Sequence, residues 1–210
     1  APKDVIVTPL STASIKVTVV PPDDATNILR YDVFVPNLGD YVACAIEAGN
    51  GPLECEVGGL FAGRMHTVRV HSWVEKAPFY SEGVEGKGWT KPNGPRGVNV
   101  ITVSSSSLKV VVMSPSDPSS ISQYKIAVKG TNPTKSCVVD AKTEPLECTL
   151  DGLTAGTKYT VVACSWNATG RICSDSVESF GWTKPNGKFT FSFLFVVWND
   201  TVHTRLTKPS

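Results

Sequence analysis

Cysteine is the residue type with the clearest chemistry in this chain, which has 6 cysteines among 210 residues. Cysteines form disulfides in oxidising compartments, or they bind metals. None of them forms a Cys-x-x-Cys pair, and His66, His71 and His203 show no metal-ligand spacing. We therefore expect disulfides and no metal site, and free buried thiols are the alternative.

Groups that could catalyse a reaction are not arranged in any recognisable motif. The sequence contains no Gly-x-Ser-x-Gly, no His-Glu-x-x-His and no phosphate-binding glycine loop. Asp23 and Asp24 lie in a polar segment where short carboxylates stabilise turns, and Glu54 and Glu147 stand beside cysteines without an evident partner. We expect no catalytic residue and no cofactor, so that the chain is not an enzyme.

Two N-glycosylation acceptors begin at Asn167 and Asn199. Together with the cysteines they predict a secreted or cell-surface glycoprotein. A net charge of +1 gives no footprint for nucleic acid or for an anionic membrane, and no stretch reaches the length needed to span a bilayer. No signal peptide begins at Ala1, so we expect the numbering to start at a mature end or within a longer chain.

These residues are distributed over an internal repeat. Residues 2–94 align with residues 95–187 without a gap, and residues 188–210 do not repeat. The segment Gly-Trp-Thr-Lys-Pro-Asn-Gly closes both copies, at 88–94 and at 181–187. A repeat of this length is the size of a domain, so each copy should bury its own core.

Apolar residues within each copy alternate with period two, which is typical of strands. Ile15, Val17 and Val19 share one face, and the segments 31–35 and 67–70 follow the same rule, as do their counterparts in the second copy. No window has a helical stripe. About seven short strands in each copy predict an all-β fold of two antiparallel sandwiches.

Three motifs carry a resemblance to a known family. They are a second-strand motif (Ile15, Val17, Val19, Pro21 and Pro22; Leu108, Val110, Val112 and Pro115), a third-strand motif (Ile28, Tyr31 and Val33; Ile121, Tyr124 and Ile126) and a corner motif (Gly152, Leu153, Gly156, Tyr159 and Val161). Each copy resembles a fibronectin type III domain. The resemblance implies two tandem immunoglobulin-like β-sandwiches.

The chain departs from this family at two places. The usual strand B tryptophan is replaced by Val19 and Val112, so the centre of each core must be filled differently. The corner tyrosine of the first copy is replaced by His66, whose imidazole could still donate a hydrogen bond to a backbone carbonyl.

Four cysteines recur between the copies, and the repeat therefore pairs Cys44 with Cys55 and Cys137 with Cys148. Each bridge closes a short loop. Such a loop contributes about 3 kcal/mol in the chain-entropy model.

The second copy alone has Cys164 and Cys173, where the first copy has His71 and Tyr80. These two cysteines flank the last hairpin, so a cross-strand bridge is the simplest prediction. Alternation places Cys164 on the outer face of the sheet.

The best candidates for partner binding lie in the first copy. Its last hairpin carries Phe79 and Tyr80 side by side, although Phe79 could instead pack against its own domain. Trp73 points outward by alternation, and Trp89 lies near the closing strand. These tryptophans either stack with Arg69 or Lys91, or cover the sheet face or domain junction. A glycan on Asn167 would shield the equivalent hairpin of the second copy, which would make that copy a spacer.

The tail breaks the pattern of the repeat. Phe189, Phe191, Phe193 and Phe195 alternate as in a strand, but we expect no partner strand to follow. The tail is either disordered or an extra edge strand on the second copy, part of a ligand or oligomer surface, or a non-homologous end produced by alternative splicing or a retained intron. We favour the last explanation.

The sequence thus predicts a non-catalytic extracellular module for adhesion, spacing or binding of a protein partner. Two alternatives stay open: an ectodomain fragment of a receptor-type tyrosine phosphatase, and the accessory domains of a secreted enzyme.

Overall fold

The fold consists of β-strands throughout the part of the chain that the structure describes. The computed structural model describes residues 1–39, 41–49, 51–74, 77–187, 193–198 and 201–206, with the backbone alone at 77–79 and beyond 187. No helix in these ranges has the length and hydropathy needed to cross a membrane.

The first repeat is a sandwich of two antiparallel sheets. Its strands are β1 (Asp4–Pro9), β2 (Ile15–Val20), β3 (Ile28–Phe34), β4 (Val42–Glu47), β5 (Glu54–Val57), β6 (Met65–Val74), β7 (Ala77–Tyr80) and β8 (Val84–Trp89). One sheet has the order β1-β2-β5. The other has the order β4-β3-β6, and both β7 and β8 pair with β6.

The second repeat has the same topology. Its strands are β9 (Gly97–Thr102), β10 (Ser107–Met113), β11 (Gln123–Val128), β12 (Ser136–Asp140), β13 (Glu147–Asp151), β14 (Lys158–Asn167), β15 (Ile172–Cys173) and β16 (Val177–Trp182). The sheets run β13-β10-β9 and β12-β11-β14, with β15 and β16 on β14. The predicted fold class, two tandem β-sandwiches, is confirmed.

The period-two pattern directs the predicted residues into each core. Ile15 and Val17 are completely buried, and Val19 is 3% exposed. Tyr31 and Tyr124 are the largest fully buried side chains and help to fill the centres that lack the family's tryptophan.

The two core tyrosines differ in how their hydroxyl groups are satisfied. The hydroxyl of Tyr124 forms a 2.9 Å hydrogen bond with the hydroxyl of Ser114. Pro21 occupies the position of Ser114 in the first repeat, and the buried hydroxyl of Tyr31 has no hydrogen-bond partner among the described residues. Burial raises the pKa of Tyr31 above its ordinary value.

Both corners form a hydrogen bond, by different chemistry. In the first repeat Nε2 of His66 donates to the carbonyl of Phe61 at 3.3 Å, as an imidazole in this position was expected to do. In the second repeat the N–H of Thr154 donates to the Tyr159 hydroxyl oxygen at 2.7 Å. That bond lowers the pKa of Tyr159, because it favours the phenolate.

The last strand of each sandwich is interrupted, which gives eight strand segments in place of about seven. At the interruption the hydroxyl of Ser81 accepts a hydrogen bond from the N–H of Ser72, at 2.9 Å. The hydroxyl of Ser174 does the same for the N–H of Ser165, at 3.0 Å. Because a side chain takes the place of the backbone carbonyl, the ladder is broken at this point.

The tail contains a hairpin. Strand β17 (Phe193–Trp198) pairs antiparallel with β18 (Thr201–Leu206). The expectation that no partner strand follows is therefore wrong. Asn199 and Asp200 separate two runs with alternating apolar residues, but in the sequence they were interpreted only as part of a glycosylation acceptor. Phe189, Phe191 and Asn199 lie outside the described residues.

Candidate functional site

Six side chains form a cluster on the outer face of the larger sheet of the first repeat. The register pairs Asp32 with His71 and Arg30 with Trp73, so alternate residues of β3 and β6 share this face. The members of this outer cluster are Arg30, Asp32, Phe34, His71, Trp73 and Tyr80.

Tyr80 lies at the centre of the aromatic part of the outer cluster. Its ring centroid is 5.9 Å from that of Phe34, 5.6 Å from His71 and 5.2 Å from Trp73. All three contacts have the edge-to-face geometry that aromatic rings prefer. Tyr80 is nevertheless 42% exposed, so a supported aromatic ring is presented at the surface.

An ion pair forms the base of the outer cluster. Asp32 is completely buried, although it faces away from the core of the sandwich. Nε of Arg30 lies 3.0 Å from its Oδ1, and the guanidinium lies 5.3 Å from the ring centroid of Trp73. A buried carboxylate is costly without a cation, so Arg30 is needed to keep Asp32 beneath the aromatic rings.

The same carboxylate affects the titration of its neighbours. Hydrogen bonding to Asp32 raises the pKa of Tyr80, because a phenolate beside this carboxylate is disfavoured. Hydrogen bonding to Asp32 also raises the pKa of Arg30. A cavity of about 220 Å³ opens next to Tyr80, between Phe34 and Arg69.

The second repeat has a covalent bond where the first has the aromatic cluster. Cys164 and Cys173 occupy the positions of His71 and Tyr80, and they form a disulfide between β14 and β15 with a Cα–Cα distance of 5.8 Å. Nζ of Lys125 lies 3.1 Å from the ring centroid of Trp166 on the same face. The two repeats therefore fix the same pair of strands in different ways.

The other two predicted disulfides are also present. Cys44 on β4 bonds Cys55 on β5, and Cys137 on β12 bonds Cys148 on β13, each with a Cα–Cα distance of 6.5 Å. Each bridge joins an edge strand of one sheet to an edge strand of the other. No cysteine is free.

Asn167 lies in the junction between the repeats, where it is 5% exposed. Its Nδ2 donates to the carbonyl of Gly63 across the junction, at 3.0 Å, and to the carbonyl of Ser120 at 2.9 Å. Its Oδ1 accepts a hydrogen bond from the N–H of Gly170 at 2.8 Å. One side chain thus links the two domains.

Three residues near the end of the first repeat complete the junction. Nζ of Lys91 lies 2.7 Å from Oδ1 of Asp175, and Nδ2 of Asn93 donates to the carbonyl of Asp117 at 3.1 Å. Trp89 packs beneath Gly170, where an added Cβ would lie 2.6 Å from the indole ring. A cleft of about 570 Å³ runs beside these contacts.

The geometry sets a condition on the predicted glycosylation of Asn167. The glycan would be attached to Nδ2, the atom that donates to Gly63 and Ser120. A glycan at this position and the observed junction therefore exclude each other. Glycosylation of Asn167 and Asn199 stays a prediction.

The structure brings together two of the three predicted contact residues. Trp73 and Tyr80 are neighbours in the outer cluster, whereas the side chain of Phe79 lies outside the described residues. The cation beside Trp73 is Arg30, and Arg69 instead pairs with Glu85 at 2.6 Å. The alternative in which Trp73 stacks with Arg69 does not hold, because the register places Arg30 opposite Trp73.

Four members of the outer cluster were not among the predicted contact residues: His71 on β6 and, on β3, Arg30, Asp32 and Phe34. A signal was present, because β3 alternates these residues with core residues, and a carboxylate within a strand needs a partner. Trp89 and Trp73 had the alternative role of covering a junction or a sheet face, and the structure places them there. Among the described residues no three His, Cys, Asp or Glu side chains converge as a metal site.

A family comparison matches part of the chain. Residues 93–172 match the family model described as fibronectin type III domain. No curated protein matches the sequence.

Three solved structures are similar over most of the chain. A two fibronectin type III domain segment from chicken tenascin is 21% identical, with 87% of this chain and 99% of that chain covered and a TM-score of 0.46. The FN1–FN3 domains of chicken CNTN1 are 16% identical, with 86% of this chain and 67% of that chain covered and a TM-score of 0.47. The central fibronectin III array of RIM-binding protein is 17% identical, with 98% of this chain and 78% of that chain covered and a TM-score of 0.36.

The family model covers most of the second repeat, and the first repeat has the same strand order and the equivalent intersheet disulfide. The family match thus applies to residues 93–172, and the first repeat is similar to the matched repeat in fold.

Proposed function

We propose that the chain is a non-catalytic extracellular binding module, which contacts a protein partner through the outer cluster while the second repeat acts as a spacer. Fibronectin type III domains commonly serve as adhesion or spacer modules that bind proteins, and the fold is typically non-catalytic. The observation that carries the proposal is the exposed Tyr80, supported by Trp73 and Arg30.

The residue types of the outer cluster suit a protein interface. Tyrosine, tryptophan and arginine are the side chains most enriched among the residues that dominate binding energies. Three aromatic contacts already hold the ring of Tyr80, so little rotamer entropy is lost when a partner binds. The cavity beside Tyr80 offers space for one side chain of the partner.

The disulfides support a location outside the cytosol. Three bridges within the described residues indicate an oxidising compartment, and this is where a secreted or cell-surface module would fold.

The test is a binding measurement of the purified chain against an immobilised panel of secreted and cell-surface ectodomains. We expect at least one ectodomain to bind, and Tyr80→Ala to weaken that binding about 30-fold, which corresponds to about 2 kcal/mol at an important contact. Trp166→Ala is the matched control, because Trp166 is the counterpart of Trp73 in the second repeat. Absence of any binding, or equal loss in both variants, would contradict the proposal.

A further inference from the structure

The junction between the two repeats rests on four residues of the first repeat. Their contacts join the Gly63 carbonyl to Asn167, Trp89 to Gly170, Lys91 to Asp175, and Asn93 to the carbonyl of Asp117.

The same four residue types recur at the equivalent positions of the second repeat, and we call them the end surface. They are Gly156, Trp182, Lys184 and Asn186. Their backbone geometry is also repeated: φ is 60° at Gly63 and 62° at Gly156. The N–H of Gly63 donates to the carbonyl of Lys91 at 2.9 Å, and that of Gly156 donates to the carbonyl of Lys184 at 3.0 Å.

Among the described residues, the end surface is more exposed than its counterpart in the first repeat. Gly63 is buried and Gly156 is exposed, and Trp182 is 53% exposed. A Cβ added at Gly63 would meet the side chain of Ser120 across the junction, whereas at Gly156 the contact within the described residues is with the neighbouring Pro185, at 3.6 Å. Within the described part of the chain, Lys184 has no carboxylate at salt-bridge distance.

We propose that the end surface is a docking site for a further fibronectin type III domain of the same kind as the second repeat. Each hydrogen-bond donor, acceptor and apolar side chain of the end surface has a counterpart that contacts the second repeat in the existing junction. Tryptophan is among the residue types enriched at protein interfaces.

The contacts define the chemistry of the occupant. It must present an amide to the carbonyl of Gly156, a glycine above the Trp182 ring and a carboxylate to Lys184. The second repeat presents these groups as Asn167, Gly170 and Asp175. The first repeat has Val74, Ala77 and Glu82 at the same positions, so it lacks the amide and the glycine.

The test uses a chain in which a copy of residues 95–187 follows residue 187 in place of the tail. Hydroxyl-radical oxidation measures the exposure of Trp182, and Trp89 in the same molecule is the reference for a covered tryptophan. We expect the oxidation rate of Trp182 to fall to that of Trp89. Asn167→Ala made only in the added copy should restore part of the reactivity.

Two further chains make the result decisive. A copy of residues 2–94 added at the same position should protect Trp182 less, because it lacks the amide and the glycine. The chains 1–210 and 1–187 should show the same rapid oxidation of Trp182. Protection by the natural tail, equal protection by the first repeat, or no protection by the second repeat would overturn the proposal. Failure of the added copy to close its disulfides would also count against the proposal, because the same repeat folds with its disulfides closed when it follows the first repeat.

Discussion

Replacing Asn167 with alanine should loosen the junction between the two repeats. Of its three hydrogen bonds, the one to the Gly63 carbonyl crosses the junction, whereas those with Ser120 and Gly170 stay within the second repeat. A hydrogen bond of this kind contributes about 1 kcal/mol net, and the change also leaves the Gly63 carbonyl without its donor. The population with separated repeats should therefore rise about fivefold.

The ion pair across the junction is too weak to compensate for this loss. The ion pair between Lys91 and Asp175 is largely exposed on the acid side, at 82%, so it contributes about 0–1 kcal/mol. Residual dipolar couplings from NMR provide the assay, because two rigidly joined repeats share one alignment tensor. In the Asn167→Ala variant the tensors of the two repeats should diverge.

The matched control is Thr169→Ala, which destroys the glycosylation acceptor and leaves the contacts of Asn167 in place. It should behave as the unmodified chain. If Asn167→Ala retains a single alignment tensor of undiminished magnitude, Asn167 does not hold the junction. The same assay on chain carrying a glycan at Asn167 should resemble the alanine variant, since Nδ2 can no longer donate to both carbonyls.

Three further predictions concern stability and titration. Tyr31→Phe should leave the free energy of unfolding unchanged or slightly raised, because the Tyr31 hydroxyl has no partner among the described residues. Tyr124→Phe should lower it by about 1 kcal/mol in urea denaturation, because it removes the hydrogen bond to Ser114. Equal losses in the two variants would refute the role of that hydrogen bond. Replacing both cysteines of the pair Cys164–Cys173 with serine should cost about 3 kcal/mol in the same assay, and no loss would contradict the loop-entropy argument. The raised pKa of Tyr80 means that its contribution to stability is present below pH 10 and is lost as the pH rises through its folded-state pKa. Asp32→Asn should lower this pKa in a spectrophotometric titration, and an unchanged value would show that the carboxylate is not its cause.

The sandwiches could be predicted because their signals are local and repeated. Alternation at Ile15, Val17 and Val19 needs no knowledge of distant residues, and the gapless repeat pairs the cysteines of each copy with one another. The arrangement as two tandem sandwiches was implied by the family resemblance.

The outer cluster and the junction could not be predicted in the same way, because they depend on strand register and domain packing. Arg30 meets Trp73 only through the pairing of β3 with β6, which the sequence does not specify. The sequence could not show that Asn167 is buried, because its contact with Gly63 lies in the other domain. The comparison of His71 and Tyr80 with Cys164 and Cys173 did indicate where the repeats differ.

The disulfides that join the two sheets also determine how the chain responds to tension. When the two ends of a sandwich are pulled apart, the segments between Cys44 and Cys55 and between Cys137 and Cys148 cannot unravel. Each bridge spans 11 positions of sequence and holds its ends 6.5 Å apart at Cα, so it withholds about 30 Å of contour length. The extensibility of this tandem would therefore depend on the redox state of its surroundings, with a longer fully stretched chain wherever the bridges are reduced.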